Sequence, residues 1–383
     1  MSQYTRNKAN RESQVRKRIF QVVGVFLALI FFLLAGIFSL GSTPNNADIT
    51  EEMHDPELQS MYFPGRIIAS LMSKEWGVNM FNRMTSSAAT GDIEGFQSEE
   101  RYIESSEGHE IRIRIFKPQN AEQKLPAMLY THGGGYLSGF PEQALKIIQD
   151  FMQTRDVVVI APAYRLSVEH PFPAGFNDCY ETLLWIKENS DELGIYDDKY
   201  ILAGRSAGGG MAAALALKAR DTKDVNIAFQ MPLFPMIDYR QETESAKMTG
   251  AIIWDNESNK HGWYQYLKGL NDKEVPAYAS PAIAKDFSGL PPTITHVGSV
   301  EPFRDETINY IEALKAAGVP TKFKLFEGAY HGFNNLSPET EIGRAGDKFQ
   351  FEAFADYYDS YVVNPSNLES VGSEAQIDSV ESN

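Results

Sequence analysis

Apolar and polar positions along this chain follow two periods in turn. In "IRIRIFK", Ile111 to Lys117, every second residue is apolar, which predicts an exposed antiparallel strand. Six later runs, "PAMLYT", "VVVIAP", "YILAG", "NIAFQMP", "PTITHVG" and "KFKLFE", are continuously apolar, as strands buried in a parallel sheet are. Helical spacing separates most of them, in "GFNDCYETLLWIKENS", "AGGGMAAALALKAR", "DETINYIEALKAAG" and "KFQFEAFADYYDSYV". Strand and helix in alternation predict an α/β fold on a mostly parallel, doubly wound sheet.

Two regions break the alternation. Residues 42 to about 60 are polar and acidic and read as a linker, Phe63 to Trp76 carries helical spacing behind Pro64, and 85–98 is small and polar again. The second region, 237 to about 280, lies between two strands and holds the aromatic-rich "IIWDNESNKHGWYQYL". Insertions of that size in an α/β domain form a lid or cap over the working face. The expected organisation is therefore a linker and N-terminal cap over 42–98, an α/β domain over 99–363 with a cap insertion at about 237–280, and a disordered tail over 364–383.

The longest apolar run has neither period. Ile19 to Leu40 is 22 residues without a charge, long enough as a helix to cross a hydrocarbon core about 30 Å thick, and it is expected to be a transmembrane helix. Residues 1–18 before it hold six basic side chains and one acid, whereas acidic residues follow it in "NNADITEEMHDPE". That asymmetry predicts a single-pass protein with a cytoplasmic N-terminus and an exported catalytic domain, periplasmic if the source is bacterial. A cleaved signal peptide is the rival reading, with Ser39 and Gly41 as small residues at cleavage spacing, but the run exceeds the usual apolar core of about 7–15 residues. The net charge of -16 argues against a nucleic-acid partner, and with Cys179 as the one cysteine no intramolecular disulfide forms. Oligomeric state is not written in these patterns.

Two glycine clusters carry the chemistry. Gly204, Ser206 and Gly208 form G-x-S-x-G between an apolar strand and a helix, the setting in which a sharp turn lifts a serine hydroxyl above a sheet. Serine needs a base, and in this architecture the acid and then the histidine follow it in the chain. Of His261, His296 and His331, the last lies in a glycine-flanked loop directly after a strand and is the expected base, while His296 sits inside an apolar strand and His261 inside the cap. Glu301, three residues past "PTITHVG", is the favoured orienting acid; Asp305, at a helix start, is its rival. The other cluster, "HGGG" from His132 to Gly135, follows a strand, where bare backbone N–H groups are free to face a developing oxyanion; Gly133, Gly134 and Ala207 are the candidate donors, and His132 is expected to pin the loop.

The motifs "HGGGYLSGF", "APAYRLSVEHPFPAGFNDCY", "GRSAGGGMAAALA", "VGSVEPFRDE" and "EGAYHGF", in that order, resemble the hormone-sensitive-lipase family of carboxylesterases over roughly residues 100–340. The resemblance implies an α/β-hydrolase fold with a helical cap, Ser206 as nucleophile, His331 as base, and an oxyanion hole from Gly133, Gly134 and Ala207. It implies hydrolysis of a small-molecule ester, of short to medium acyl chain, through an acyl-enzyme with no metal or organic cofactor. Amide cleavage by the same triad and a non-catalytic sensor of apolar ligands are the alternatives. Three positions depart from the family's pattern: Glu301 and Arg205 stand where Asp is usual, and Ala163 replaces the Asp of an Asp-Tyr-Arg run.

Overall fold

The structure, a computed structural model, describes residues 48–85, 91–119, 121, 123–271 and 273–364. Eight strands form one sheet: β1 (Phe96–Glu104), β2 (Glu110–Pro118), β3 (Leu125–Thr131), β4 (Val158–Pro162), β5 (Ile195–Arg205), β6 (Ile227–Leu233), β7 (Thr293–Gly298) and β8 (Thr321–Phe326). Their spatial order is β1-β2-β4-β3-β5-β6-β7-β8. β2 runs antiparallel to both β1 and β4, and every pairing from β4 through β8 is parallel. All residues of β3, β4, β6 and β7 are buried, because helices cover both sheet faces. One pair is α3 (Leu145–Thr154) with α8 (Glu341–Tyr357); the other is α4 (Ala174–Glu188) with α5 (Ala207–Thr222). The remaining long helices are α1 (Tyr62–Met72), α2 (Glu75–Thr85), α6 (Asn256–Leu267) and α7 (Arg304–Ala316).

Four local expectations are corrected. The stretch read as a linker is packed from Asp48 onward: Ile49 and Leu58 are buried, and Ile49 N donates to Thr249 O at 2.9 Å. The single helix expected over Phe63 to Trp76 is two helices, α1 and α2, since the chain turns at Ser73 and Lys74, with Ser73 Oγ donating to Ser70 O at 2.8 Å. β2 is antiparallel as expected but not exposed, because it lies inside the sheet between β1 and β4; its polar position Arg114 is covered by pairing with Glu142 at 2.8 Å. Finally, α8 starts seven residues before "KFQFEAF", where the Thr340 hydroxyl accepts from Gly343 N at 3.0 Å as an N-cap.

The two regions that broke the alternation meet over one edge of the sheet. Ser258 Oγ on α6 donates to Ala69 O on α1 at 2.8 Å, and Ile253 N donates to Gly65 O at 2.9 Å. Among the described residues no helix is long and apolar enough to cross a membrane. The run 19–40 and the tail from 365 lie outside the described residues.

Candidate active site

Ser206 is the one residue between β5 and α5, and it adopts φ 57° and ψ -122°. Such a backbone costs a non-glycine residue about 1–3 kcal/mol, so the surroundings must impose it. They do: Ser206 N donates to Leu233 O on β6, and its carbonyl accepts from Gly210 N and Met236 N, each at 3.0 Å. Glycine at 208 is required by close approach, since a Cβ there would lie 2.1 Å from the Thr131 carbonyl oxygen.

His331 follows β8 and reaches back to the elbow. Ser206 Oγ lies 2.8 Å from His331 Nε2, and Glu301 Oε2 lies 2.5 Å from His331 Nδ1. With Nδ1 protonated, the serine hydroxyl donates to Nε2 and the imidazole donates to the carboxylate. Phe234 and Phe303 meet the imidazole edge-on with centroids 5.1 and 5.0 Å away, which fixes the ring plane. Glu301 is held in turn by Gly298 N, which donates to its Oε1 at 2.9 Å. The arrangement can deprotonate the serine and stabilise the imidazolium that results.

The other candidates lie elsewhere. Asp305 accepts from Ser245 N at 2.8 Å and pairs with Arg304 at 2.6 Å, so it ties α7 to the cap. His296 is fully buried among the rings of Phe234, Phe326, Phe333 and Phe349, and burial pushes it down to about 3. His261 sits on α6 in the cap, its ionisation lowered first by burial.

The glycine loop abuts the elbow. A Cβ on Gly133 would stand 2.9 Å from the Arg205 carbonyl oxygen and 3.4 Å from Ser206 Cβ. The N–H groups of Gly133, Gly134 and Ala207 meet no acceptor among the described residues, whereas Leu137 N and Ser138 N are used within the loop on Gly134 O. His132 donates from Nδ1 to Gly133 O at 2.9 Å and stacks on Tyr164 with centroids 4.1 Å apart. Burial pushes His132 down to about 4, leaving it neutral near pH 7 and a poor second base.

Four contacts escaped the sequence. Gly135 has φ 63° and a Cβ there would fall 2.1 Å from Trp254 Cη2, so the cap rests directly on the glycine loop. Asn82 on α2 donates to Leu137 O at 3.0 Å, holding the same loop from the N-terminal side. Arg205 donates to Asn335 Oδ1 at 2.9 Å, bridging the elbow to the loop after His331. At the position where Ala163 stands, the neighbouring Arg165 is held by Asp178 at 2.9 Å, a partner from α4 that no local motif announces. The cap leaves Ser206 and His331 only 7% and 6% exposed, so an ester must pass it to reach the hydroxyl.

Comparison with known proteins agrees with this fold. A family profile described as alpha/beta hydrolase fold matches residues 128–335. An arylesterase of Saccharolobus solfataricus is 32% identical over 236 residues, 61% of this chain and 76% of the relative. The carboxylesterase NlhH of Mycobacterium tuberculosis is 31% identical over 246 residues, 62% of this chain and 76% of the relative. The solved structure of a bacterial heroin esterase superposes with a TM-score of 0.74 at 31% identity, covering 81% of this chain and 99% of that one. The chain belongs to the alpha/beta hydrolase fold family. Within it, the chain is a carboxylic ester hydrolase of the hormone-sensitive-lipase-like group.

Proposed function

We propose that the chain cleaves short- to medium-chain carboxylic esters through an acyl-enzyme on Ser206, while anchored in a membrane by residues 19–40 with its catalytic domain exported. The observation that carries the catalytic reading is the continuous line Glu301, His331, Ser206, with contacts of 2.5 and 2.8 Å beside backbone N–H groups that have no acceptor among the described residues. His331 takes the serine proton as Oγ attacks the ester carbonyl, and the oxyanion that forms is met by Gly133, Gly134 and Ala207 N–H. Collapse expels the alcohol, which receives the proton from His331. Water then repeats the sequence on the acyl-enzyme. Arg205 and Asn335 join the elbow to the segment after His331, and Trp254 packs on the glycine loop.

The anchor rests on the charge-free run 19–40 and the basic segment before it. Apolar esters partition toward a bilayer, which gives such a location a use.

The test is turnover of nitrophenyl esters from acetyl to palmitoyl by the full chain in non-ionic detergent, beside Ser206→Ala and a nitroanilide. Activity falling beyond medium chains, absent on the anilide and lost in Ser206→Ala, is the expected result. Turnover unchanged by Ser206→Ala refutes the mechanism. For the anchor, the full chain is expected to remain in the membrane pellet after a high-salt wash, and release of a form starting near Ser42 would refute it.

A further inference from the structure

Behind the catalytic acid lies a second polar cavity that ester hydrolysis does not use. Its volume is about 270 Å³, and its lining includes Asp238, Arg240 and Glu242 from the chain after β6, Phe287 ahead of β7, and Glu306 and Tyr310 on α7. Glu306 is 1% exposed, and neither carboxylate oxygen has a hydrogen-bond partner among the described residues. A buried carboxyl left in that state calls for an explanation, because desolvation without compensation costs about 1–3 kcal/mol or more. The start of α7 does not supply one, since neither oxygen meets the N–H groups there.

The charge around it is unbalanced in one direction. Arg240 is already engaged by Asp238, at 2.8 Å from Oδ1, and Arg304 by Asp305 at 2.6 Å. Among the described residues Glu306 and Glu242 have no cationic side chain paired with them. Phe287 and small side chains such as Ala313 form an apolar wall. No group of three metal-ligating side chains occurs among the described residues, so a compact metal ion is poorly served. An ammonium group on a short alkyl chain matches both the acid and the wall.

We propose that this cavity is a binding site for a small primary alkylammonium ion, with Glu306 as its counter-ion. The site is separate from the Ser206 pocket and does not rest on the ester reading. Burial raises the pKa of the empty carboxyl first, and Asp238, Asp305 and Glu301 raise it further against the opposing Arg240, so an empty cavity favours the protonated form of Glu306. On binding, the Glu306 O–H bond breaks, the proton passes to buffer, and the ammonium, keeping its own protons, pairs with the carboxylate.

The experiment is calorimetric titration of the full chain in non-ionic detergent with n-propylammonium chloride, beside propanoate and propanol, in two buffers of different ionisation heat. Saturable binding of the ammonium alone with release of close to one proton is expected. Glu306→Gln, which keeps the shape, is expected to weaken it at least tenfold and to remove the proton release. Ala313→Leu, which fills the cavity without changing charge, is expected to block binding, while phosphonylation of Ser206 by an activated phosphonate ester, whose leaving group departs as Oγ bonds to phosphorus, is expected to leave it intact. Absence of saturable binding, equal affinity in Glu306→Gln, equal binding of propanoate, or loss on phosphonate treatment would each overturn the proposal.

Discussion

The sharpest prediction separates the two acids that the sequence leaves in competition. Glu301→Gln preserves length and volume but replaces the carboxylate facing His331 Nδ1 at 2.5 Å with a neutral amide. A unit charge about 4 Å from the centre of an imidazolium, at an effective dielectric near 20, is worth on the order of 4 kcal/mol. Losing it lowers kcat by roughly a thousandfold, with further loss where the amide NH₂ stabilises the wrong tautomer. Glu301→Asp keeps the charge but withdraws it by one methylene, stretching both the His331 contact and the 2.9 Å bond from Gly298 N; a decline of about 10–100-fold is expected. Asp305→Asn, by contrast, touches Ser245 and Arg304 only, so it should cost about 1 kcal/mol of stability and leave kcat within about twofold. Steady-state hydrolysis of nitrophenyl butyrate, with unfolding midpoints measured in parallel, reads all three. A full-rate Glu301→Gln enzyme, or an Asp305→Asn enzyme that folds normally but has lost its turnover, would refute the assignment.

Three other outcomes follow from the same geometry. Because the folded values of His132 and His296, about 4 and about 3, lie below their unfolded value of 6.5, stability present above pH 6.5 is lost as pH falls toward those values, by up to about 1.4 kcal/mol per pH unit for each; urea midpoints between pH 7 and 4.5 measure it, and His296→Leu should make the slope shallower. Gly135→Ala forces a Cβ into Trp254 at a φ of 63°, so it should reduce ester turnover and cost about 1–2 kcal/mol or more, with a smaller effect in a Trp254→Ala background by double-mutant cycle. Arg205→Ala and Asn335→Ala each break the bond between the elbow and the histidine loop, so each should lower kcat by about three- to tenfold with KM held, and the double variant should do no worse than either. Additive losses in that last cycle would show that the two residues act separately.

How much of this was legible in the chain varies with the range of the interaction. The apolar runs of β3, β4, β6 and β7 are local facts, since a strand with helices on both faces carries few polar residues; β8, read from the chain as equally buried, is instead an edge strand that is mostly part-buried and carries Lys322 and Lys324. The nucleophile turn was equally local, because G-x-S-x-G records how little room the crossing of β3, β5 and α5 leaves. Spacing favoured Glu301 over Asp305 by loop position, but only the approach of the β7 and β8 loops brings its carboxylate to His331. The helix break at Ser73 was missed because apolar spacing continues past it, while the turn is closed by local bonds, Ser73 Oγ to Ser70 O and Lys74 N to Leu71 O, with Gly77 brought close to the Leu71 carbonyl.

The sequence by itself determined the parallel sheet, the serine and its histidine, and the glycine loop, because each depends on neighbours in the chain and on backbone space that only certain residues allow. Tertiary structure alone decided which side chains complete the site: Trp254 on Gly135, Asn82 on Leu137, Asn335 on Arg205, Asp178 on Arg165, and the isolated carboxyl of Glu306. The first four join residues between 13 and 130 positions apart. At such separations no strand or helix period links the partners, and even the run from 161 to 180 that holds both Arg165 and Asp178 does not say that they pair, so contact is fixed only when the tertiary fold brings the segments together.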